Sequence, residues 1–492
     1  MPTRGETGLP EATETGPLDR LLRSAVSGCW LLLCLLAFVS LPWRILNDRS
    51  WVLWPIGIAS VSLLAWLSGR VPEGWIGACR TLLRFPALPW AAIAGGVALR
   101  VAWVAAVRPV QVSDADEYVK LAERLLATGE YWTGTAAGSR WYAYRAPGYT
   151  FFLAGWMWLL GKSAYLPAVT NILAYVGTSL AMLHLGTRLI NRAAAVLAVS
   201  MLAIWPCNIG YTGIAAYEMQ LMFLGILTAI WTIRSAEGDS GRRLWNAALA
   251  GVANGVTVLI RPTALIMPAL WLLYHIRGGR LRRSGVLAVA VATLFTGLVI
   301  APWTIRNYRL GIPVLVSGTG SSALLLAANG YVGFDYEERA LDELVRKVGF
   351  NEARFYEEAP KASRAWIREN TWRYLRQNAE RMICFLGEDT AGFYWSLSAP
   401  LNIKGRVYVL LQAVSQVWWI GVWVLAFVGA YRGRRLFEAG DGVRLLAWTV
   451  LAYTAVSFPF FNVARYHIPL APMMLLVGSL VVADRPGDSP LR

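Results

Sequence analysis

Charged side chains are scarce in this chain of 492 residues: Asp, Glu, Lys and Arg together make up 15%, against 56% hydrophobic residues. With a mean hydropathy of +0.46, that scarcity excludes a single water-soluble core. Acids are scarcer than bases, 30 against 46, which leaves a formal net charge of +16. Histidine is rarer still, with only His184, His275 and His467. His184 and His275 fall toward one side of the membrane and His467 toward the other, so a multi-histidine zinc site is excluded on the His467 face. The five cysteines, Cys29, Cys34, Cys79, Cys207 and Cys384, show no metal or disulfide spacing. Most read as small membrane hydrophobes, with a Cys207–Cys384 bridge left open. No Asn-x-Ser/Thr acceptor occurs, so nothing favours an endoplasmic reticulum lumen over a bacterial exterior. The N-terminus lacks a cleavable signal pattern.

Long apolar runs are abundant. Windows of the length that crosses about 30 Å of hydrocarbon as a helix recur at 27–43, 51–67, 87–107, 164–187, 193–207, 218–233, 245–260, 262–276, 285–303, 407–431, 445–461 and 468–483. The expectation is an all-α polytopic membrane protein of about twelve transmembrane helices, with a tight hairpin at Arg261-Pro262. Basic residues cluster in alternate short connections: Arg20 and Arg23, then Arg70, Arg80 and Arg84, then Arg188 and Arg192, then Arg234, Arg242 and Arg243, then Arg277 to Arg283, then Arg432 to Arg435. Lys and Arg are retained on the cytoplasmic side, so both termini are expected there. The charge of +16 follows from this topology and not from nucleic-acid binding, since no basic stripe interleaved with aromatics lies on a soluble domain.

Two long segments, 108–163 and 304–406, then face outward, with a short turn at 208–217. Residues 1–25 read as a disordered cytoplasmic tail, 26–86 as two additional spans, 87–303 as the membrane core, 304–406 as an external helical segment and 407–492 as the closing spans. In the first outer segment, Val119, Leu121, Ala122, Leu125 and Leu126 form a helical stripe stopped by Gly129, a helix expected on the bilayer surface. A second surface helix is expected from Pro147 to Gly161. Between Asp335 and Arg381, charged and aromatic residues alternate at the spacing of amphipathic helices.

The acidic run Asp114-Ala115-Asp116-Glu117-Tyr118 opens the first of these helices. Helical spacing groups Asp114, Glu117 and Tyr118 on one face. A solvated helix start, with Asp114 as its cap, explains the run as well as chemistry does.

Asp114 through Tyr118, Ala122, Leu126 and Gly129, followed by Arg145-Ala146-Pro147-Gly148-Tyr149, resembles the first external loop of the GT-C glycosyltransferases that use polyprenyl-phosphate sugars. Protein O-mannosyltransferases and lipid A aminoarabinose transferases belong to that superfamily. Pro206 through Glu218 resembles its second external turn, Ile260-Arg261-Pro262 its basic hairpin, Pro302 through Tyr308 with Asn329 the entry to its larger external region, and Arg465-Tyr466-His467-Ile468-Pro469 its last outer turn. The resemblance runs from about residue 87 to the C-terminus. The family's adjacent acids are replaced here by Asp114 followed by Ala115.

The resemblance implies a GT-C fold and transfer of a sugar from a polyprenyl-phosphate donor to a glycan, lipid or protein acceptor outside a bacterial inner membrane, with inversion. Asp114 would be the general base and Glu218 a second carboxylate. Tyr118, Glu117, Arg145, Arg261, Arg306, Asn307, Arg465, Tyr466 and His467 would contact substrate, the arginines matching phosphate oxygens. A divalent metal ion is left open, held by Asp114 and Glu218 if one is required. Arg100, buried in a span, is expected to pair with a carboxylate. A transporter or flippase of lipid-linked sugars, or a non-catalytic assembly subunit, is the alternative. A transporter predicts internal repeats, and none is visible.

Overall fold

In a computed structural model, the described residues are 17–40, 50–134, 138–237, 239–277, 280–328, 339–460 and 463–483. Nearly all of them are helical, as the apolar windows demand. Among the described residues, seven helices are long and apolar enough to cross a membrane: Arg20–Ser40, Leu88–Val107, Leu166–Leu189, Ser240–Ile260, Arg283–Arg309, Arg406–Arg432 and Ala464–Val482. The pair Arg192–Ala203 and Pro206–Gly213, bent by 50°, makes an eighth if it is one span.

The count of twelve rests on windows that fold more finely than hydropathy shows. Glu218–Arg234 and Asp441–Ser457 are helices of 17 residues, at the lower limit for a crossing. The window at 262–276 is a 3₁₀ turn, Pro262–Ile266, followed by the short helix Met267–His275, because Pro262 and Pro268 remove backbone donors at consecutive turns. Two small antiparallel ladders also interrupt the all-helical expectation, Thr133–Gly134 with Arg140–Trp141 and Ile276–Arg277 with Arg280–Leu281.

Of the expected tail, residues 17–25 are helical. Residues 1–16 lie outside the described part, and a helix runs from Pro17 to Ser40. Its first turns are largely exposed, with Leu21 64% accessible, and burial begins further along. Val26, Trp30, Cys34 and Ala37 are wholly buried, and Trp30 Nε1 donates to the Ala426 carbonyl. This first span belongs to the core. Lipid supplies no hydrophobic drive between helices, so close backbone approach has to hold them. Gly251 provides it: a Cβ there would stand 2.3 Å from the Ala292 carbonyl oxygen.

The outer loop folds as its residues direct. Asp114–Thr128 is a helix ended by Gly129 at φ +70°, and Pro147–Leu160 is a second. Asp114 is the first helical residue, not the cap; Ser113 precedes it at φ 53°. Gly148 lets the second helix sit on the backbone of Leu259 and Ile260, where a Cβ would meet atoms at 2.8 Å. That contact brings the loop to Arg261. The external segment contains helices Arg339–Lys347, Glu352–Glu369 and Thr371–Gly387; Asn329 and residues 335–338 lie outside the described part.

Candidate active site

Four separated stretches converge on the start of helix Asp114–Thr128. Asp114 accepts from Arg145 Nη2 at 2.6 Å through one oxygen and from Arg465 Nη2 at 2.5 Å through the other. Arg145 Nε also donates to Glu117 at 2.7 Å. Asp116 turns outward to Lys120 at 2.5 Å. Within the acidic run, then, Asp114 and Glu117 face the arginines and Asp116 does not. Burial would raise the Asp114 pKa, but Arg145 and Arg465 outweigh it and hold the carboxyl well below the usual range.

Glu218 opens helix Glu218–Arg234 and is 1% exposed. The helix dipole favours a carboxylate at that end. Its Oε1 lies 3.6 Å from Arg465 Nε, beyond hydrogen-bond reach. Both Glu218 oxygens and Arg465 Nε are buried without a hydrogen-bond partner among the described residues. Unpaired buried polar groups are costly, and here three of them meet at one wall.

That wall is built by polar anchoring of backbone. Asn171, wholly buried, donates to the carbonyls of Thr212 and Ile214 and accepts from Gln220. Gln111 donates to the Gly213 carbonyl and accepts from Ala215 N–H, tying the turn to the approach of Asp114. Ile214 to Glu218, Val112, Asp114, Tyr118, Trp395 and Arg465 line a narrow pocket that opens to solvent. Tyr118 meets Tyr149 and Tyr217 edge-on at 5.3 and 5.9 Å. Arg261 donates to the Tyr217 hydroxyl at 3.1 Å and lies 3.7 Å over the Tyr466 ring, and its Nε has no partner. Arg261, Arg465 and Tyr466 therefore stand together beside Glu218.

Other expected residues are engaged elsewhere. Arg306 donates to the carbonyls of Tyr142 and Tyr131 at 2.8 and 3.0 Å and stacks 4.2 Å over Trp303. Asn307 donates to the carbonyls of Val314 and Val316. Both brace backbone behind the site. Glu352 joins them, accepting from the N–H groups of Tyr142 and Ala143, so helix Glu352–Glu369 holds the segment that delivers Arg145. His467 faces away from the cavity, toward Asp389 and the Phe385 carbonyl. Arg100 pairs with no carboxylate: it donates to the carbonyls of Gly96, Ala203 and Leu202 and to Asn208, where the bent span leaves carbonyls unsatisfied. Cys207 and Cys384 are not bridged to each other.

Trp395 and Tyr217 were missed in sequence. Tyr217 adjoins Glu218, which was a usable signal. Trp395 enters through a π-helical turn, Tyr394–Ser398, a feature that redirects side chains and has no sequence signature.

As arranged, these residues do not make a divalent-metal site. Both Asp114 oxygens are occupied by guanidinium groups, and Arg465 stands between the two carboxylates where a cation would bind. Among the described residues, no cluster of three or more His, Cys, Asp or Glu is placed to hold a metal.

No family model and no curated protein sequence matches the chain. Among solved structures, it is similar to the apo oligosaccharyltransferase of Archaeoglobus fulgidus, at 12% identity and TM-score 0.48, over 80% of this chain and 50% of that one. The same archaeal protein, AglB, in complex with an inhibitory peptide and a dolichol-phosphate gives 14% identity and TM-score 0.49, over 80% and 49%. ArnT from Cupriavidus metallidurans bound to undecaprenyl phosphate gives 14% identity and TM-score 0.34, over 79% and 77%. The chain spans about half the length of the archaeal oligosaccharyltransferase it matches.

Proposed function

We propose that this protein is a membrane glycosyltransferase that transfers a sugar from a polyprenyl-phosphate donor to a hydroxyl acceptor outside a bacterial inner membrane. The observation that carries this reading is Arg465: it holds Asp114 through Nη2 while its buried Nε, 3.6 Å from Glu218, has no hydrogen-bond partner among the described residues. A guanidinium with an open donor, next to a carboxylate, suits a phosphate and a base at once.

In this scheme the donor phosphate draws Arg465 and Arg145 partly off Asp114, and Arg261 adds a third guanidinium. The freed Asp114 accepts the acceptor's hydroxyl proton as that oxygen attacks the anomeric carbon. The bond from that carbon to the phosphate oxygen breaks, and the polyprenyl phosphate leaves with the electron pair. One displacement inverts the anomeric centre. The arginines stabilise the charge gathering on the leaving phosphate, and Glu218 orients the acceptor. The positive charge at the site is thereby assigned to arginines. The tyrosines of the wall and Trp395 offer flat faces to a sugar ring.

The basic connections support a cytoplasmic side for both termini, with Asp114 on the opposite side. The resemblance to the GT-C pattern in the residues around Asp114, Arg145, Glu218, Arg261 and Arg465 supports the same reading. Mass spectrometry of surface glycans, glycolipids and proteins from cells with and without the protein tests it. A sugar missing from one class, and restored by wild type but not by Asp114→Asn, is expected. Identical profiles, or restoration by Asp114→Asn, would overturn it.

A further inference from the structure

Asp389 is a carboxylate with no exposed surface, and the scheme above gives it no role. It follows helix Thr371–Gly387 and meets polar groups from three distant parts of the chain: Trp205 Nε1 donates to it at 2.8 Å and Ser415 Oγ at 3.0 Å, and His467 Nε2 lies 3.2 Å away. The other ring nitrogen of His467 donates to the Phe385 carbonyl at 2.8 Å, and the ring stacks 4.0 Å from Trp419. His467 is thus locked on both edges and one face.

His467 belongs to the 3₁₀ helix Ala464–Leu470, two residues beyond Arg465. At three residues per turn, successive side chains point about 120° apart. Locking His467 into the core therefore sets the directions of Arg465 and Tyr466 into the site. Asp389 also opens the stretch that leads through the π-helical turn to Trp395, over whose ring the Arg465 guanidinium lies at 5.5 Å. One buried carboxylate ties together two walls of the cavity.

We propose that Asp389 is a positioning residue, acting through His467 to aim Arg465 at the donor phosphate. This rests on Arg465 being a phosphate ligand.

The hydrogen-bond pattern separates two substitutions. In Asp389→Asn, the amide oxygen accepts from Trp205 and Ser415 while the amide nitrogen donates to a neutral His467 Nε2, so the anchor is kept. Asp389→Ala removes it. His467→Phe keeps the stack on Trp419 and loses both polar contacts.

The test is binding of undecaprenyl phosphate to the full-length protein in nanodiscs. Asp389→Ala and His467→Phe are each expected to weaken it about tenfold, roughly 1.4 kcal/mol, with Asp389→Asn within about threefold of wild type. In an Arg465→Ala background, Asp389→Ala is expected to cause no further loss, because it acts through the missing side chain. Equal losses for Asn and Ala, no loss for Ala and Phe, or losses that add to Arg465→Ala would each overturn the proposal. A second cycle needs no ligand: the melting-temperature drop from Asp114→Asn is expected to shrink by more than half in the Asp389→Ala or His467→Phe background, and full additivity would overturn it. Absence of undecaprenyl phosphate binding by wild type would overturn the functional reading, while the melting cycle still decides whether Asp389 aims Arg465.

Discussion

Arg465 reaches Asp114 across 351 residues of chain and holds its Oδ2 at 2.5 Å. The turn Ala464–Leu470 thereby closes on helix Asp114–Thr128, and a carboxylate that would act as base is capped on both oxygens by arginine. A base masked in this way works only after a competing anion draws the guanidinium away.

Asp114→Asn keeps the shape of the side chain and loses the charge. If Asp114 takes the acceptor proton, transfer should fall by about 10² to 10⁴, the usual contribution of a positioned base, while the protein remains folded and extractable. Turnover of a polyprenyl-phosphate sugar, measured beside melting temperature, checks this. Wild-type turnover in the variant would remove the base assignment.

Acid stability should report the same pair. The Asp114 pKa is depressed in the folded protein by Arg145 and Arg465 against the opposing effect of burial. A depressed carboxyl stabilises the fold above its unfolded value of about 3.9 and loses that contribution as pH falls from there toward the folded value. The melting-temperature gap between wild type and Asp114→Asn should therefore be flat from about pH 5 upward and close progressively below about pH 4. A gap that changes between pH 6 and 8 would contradict the assignment.

Arg465→Lys tests the fork. A lysine offers a point charge and cannot face Asp114 and Glu218 with separate nitrogens in one plane. The expectation is a rise in donor KM of about tenfold or more, about 1.4 kcal/mol, with Arg145→Lys weaker because Glu117 shares its guanidinium. Unchanged donor KM in Arg465→Lys would argue that phosphate contacts another group.

Much of this was readable where local chemistry and position coincide. The helix from Asp114 to Thr128 announces itself by its acidic start, its apolar stripe and Gly129, and the outer helix from Pro147 by its proline. Hydropathy located the spans but not their breaks, because a bend at Trp205 or a 3₁₀ turn after Arg261 leaves composition unchanged. The arginines near span ends could not be sorted by sequence at all: Arg306 and Arg465 occupy similar contexts, yet one meets backbone carbonyls and the other a carboxylate. Asp389 sits in a run with no motif, and only the tertiary fold brings Trp205, Ser415 and His467 to it.

Chelation addresses the cation question. With Arg465 between the carboxylates and both Asp114 oxygens occupied, the arginines supply the positive charge. Transfer by purified protein should persist within about twofold after extensive EDTA treatment, a change under about 0.5 kcal/mol. Loss of turnover that is restored by one added divalent ion would show that substrate rearranges these groups into a metal site.

Arg306 and Arg261 give the sharpest contrast, because each is an arginine beside aromatic rings at the outer side. Arg306 donates to two backbone carbonyls, so Arg306→Ala should leave buried acceptors unsatisfied and cost about 1.5–3 kcal/mol of stability. Arg261 spends one hydrogen bond on the Tyr217 hydroxyl, keeps Nε unpaired and stacks on Tyr466 beside Glu218. Arg261→Ala should instead raise donor KM about tenfold or more, about 1.4 kcal/mol, with the smaller change in melting temperature. Measuring both quantities for both variants decides the matter. The opposite pattern, donor loss in Arg306→Ala and stability loss alone in Arg261→Ala, would move the phosphate site from the Glu218 wall to the segment that carries Arg145.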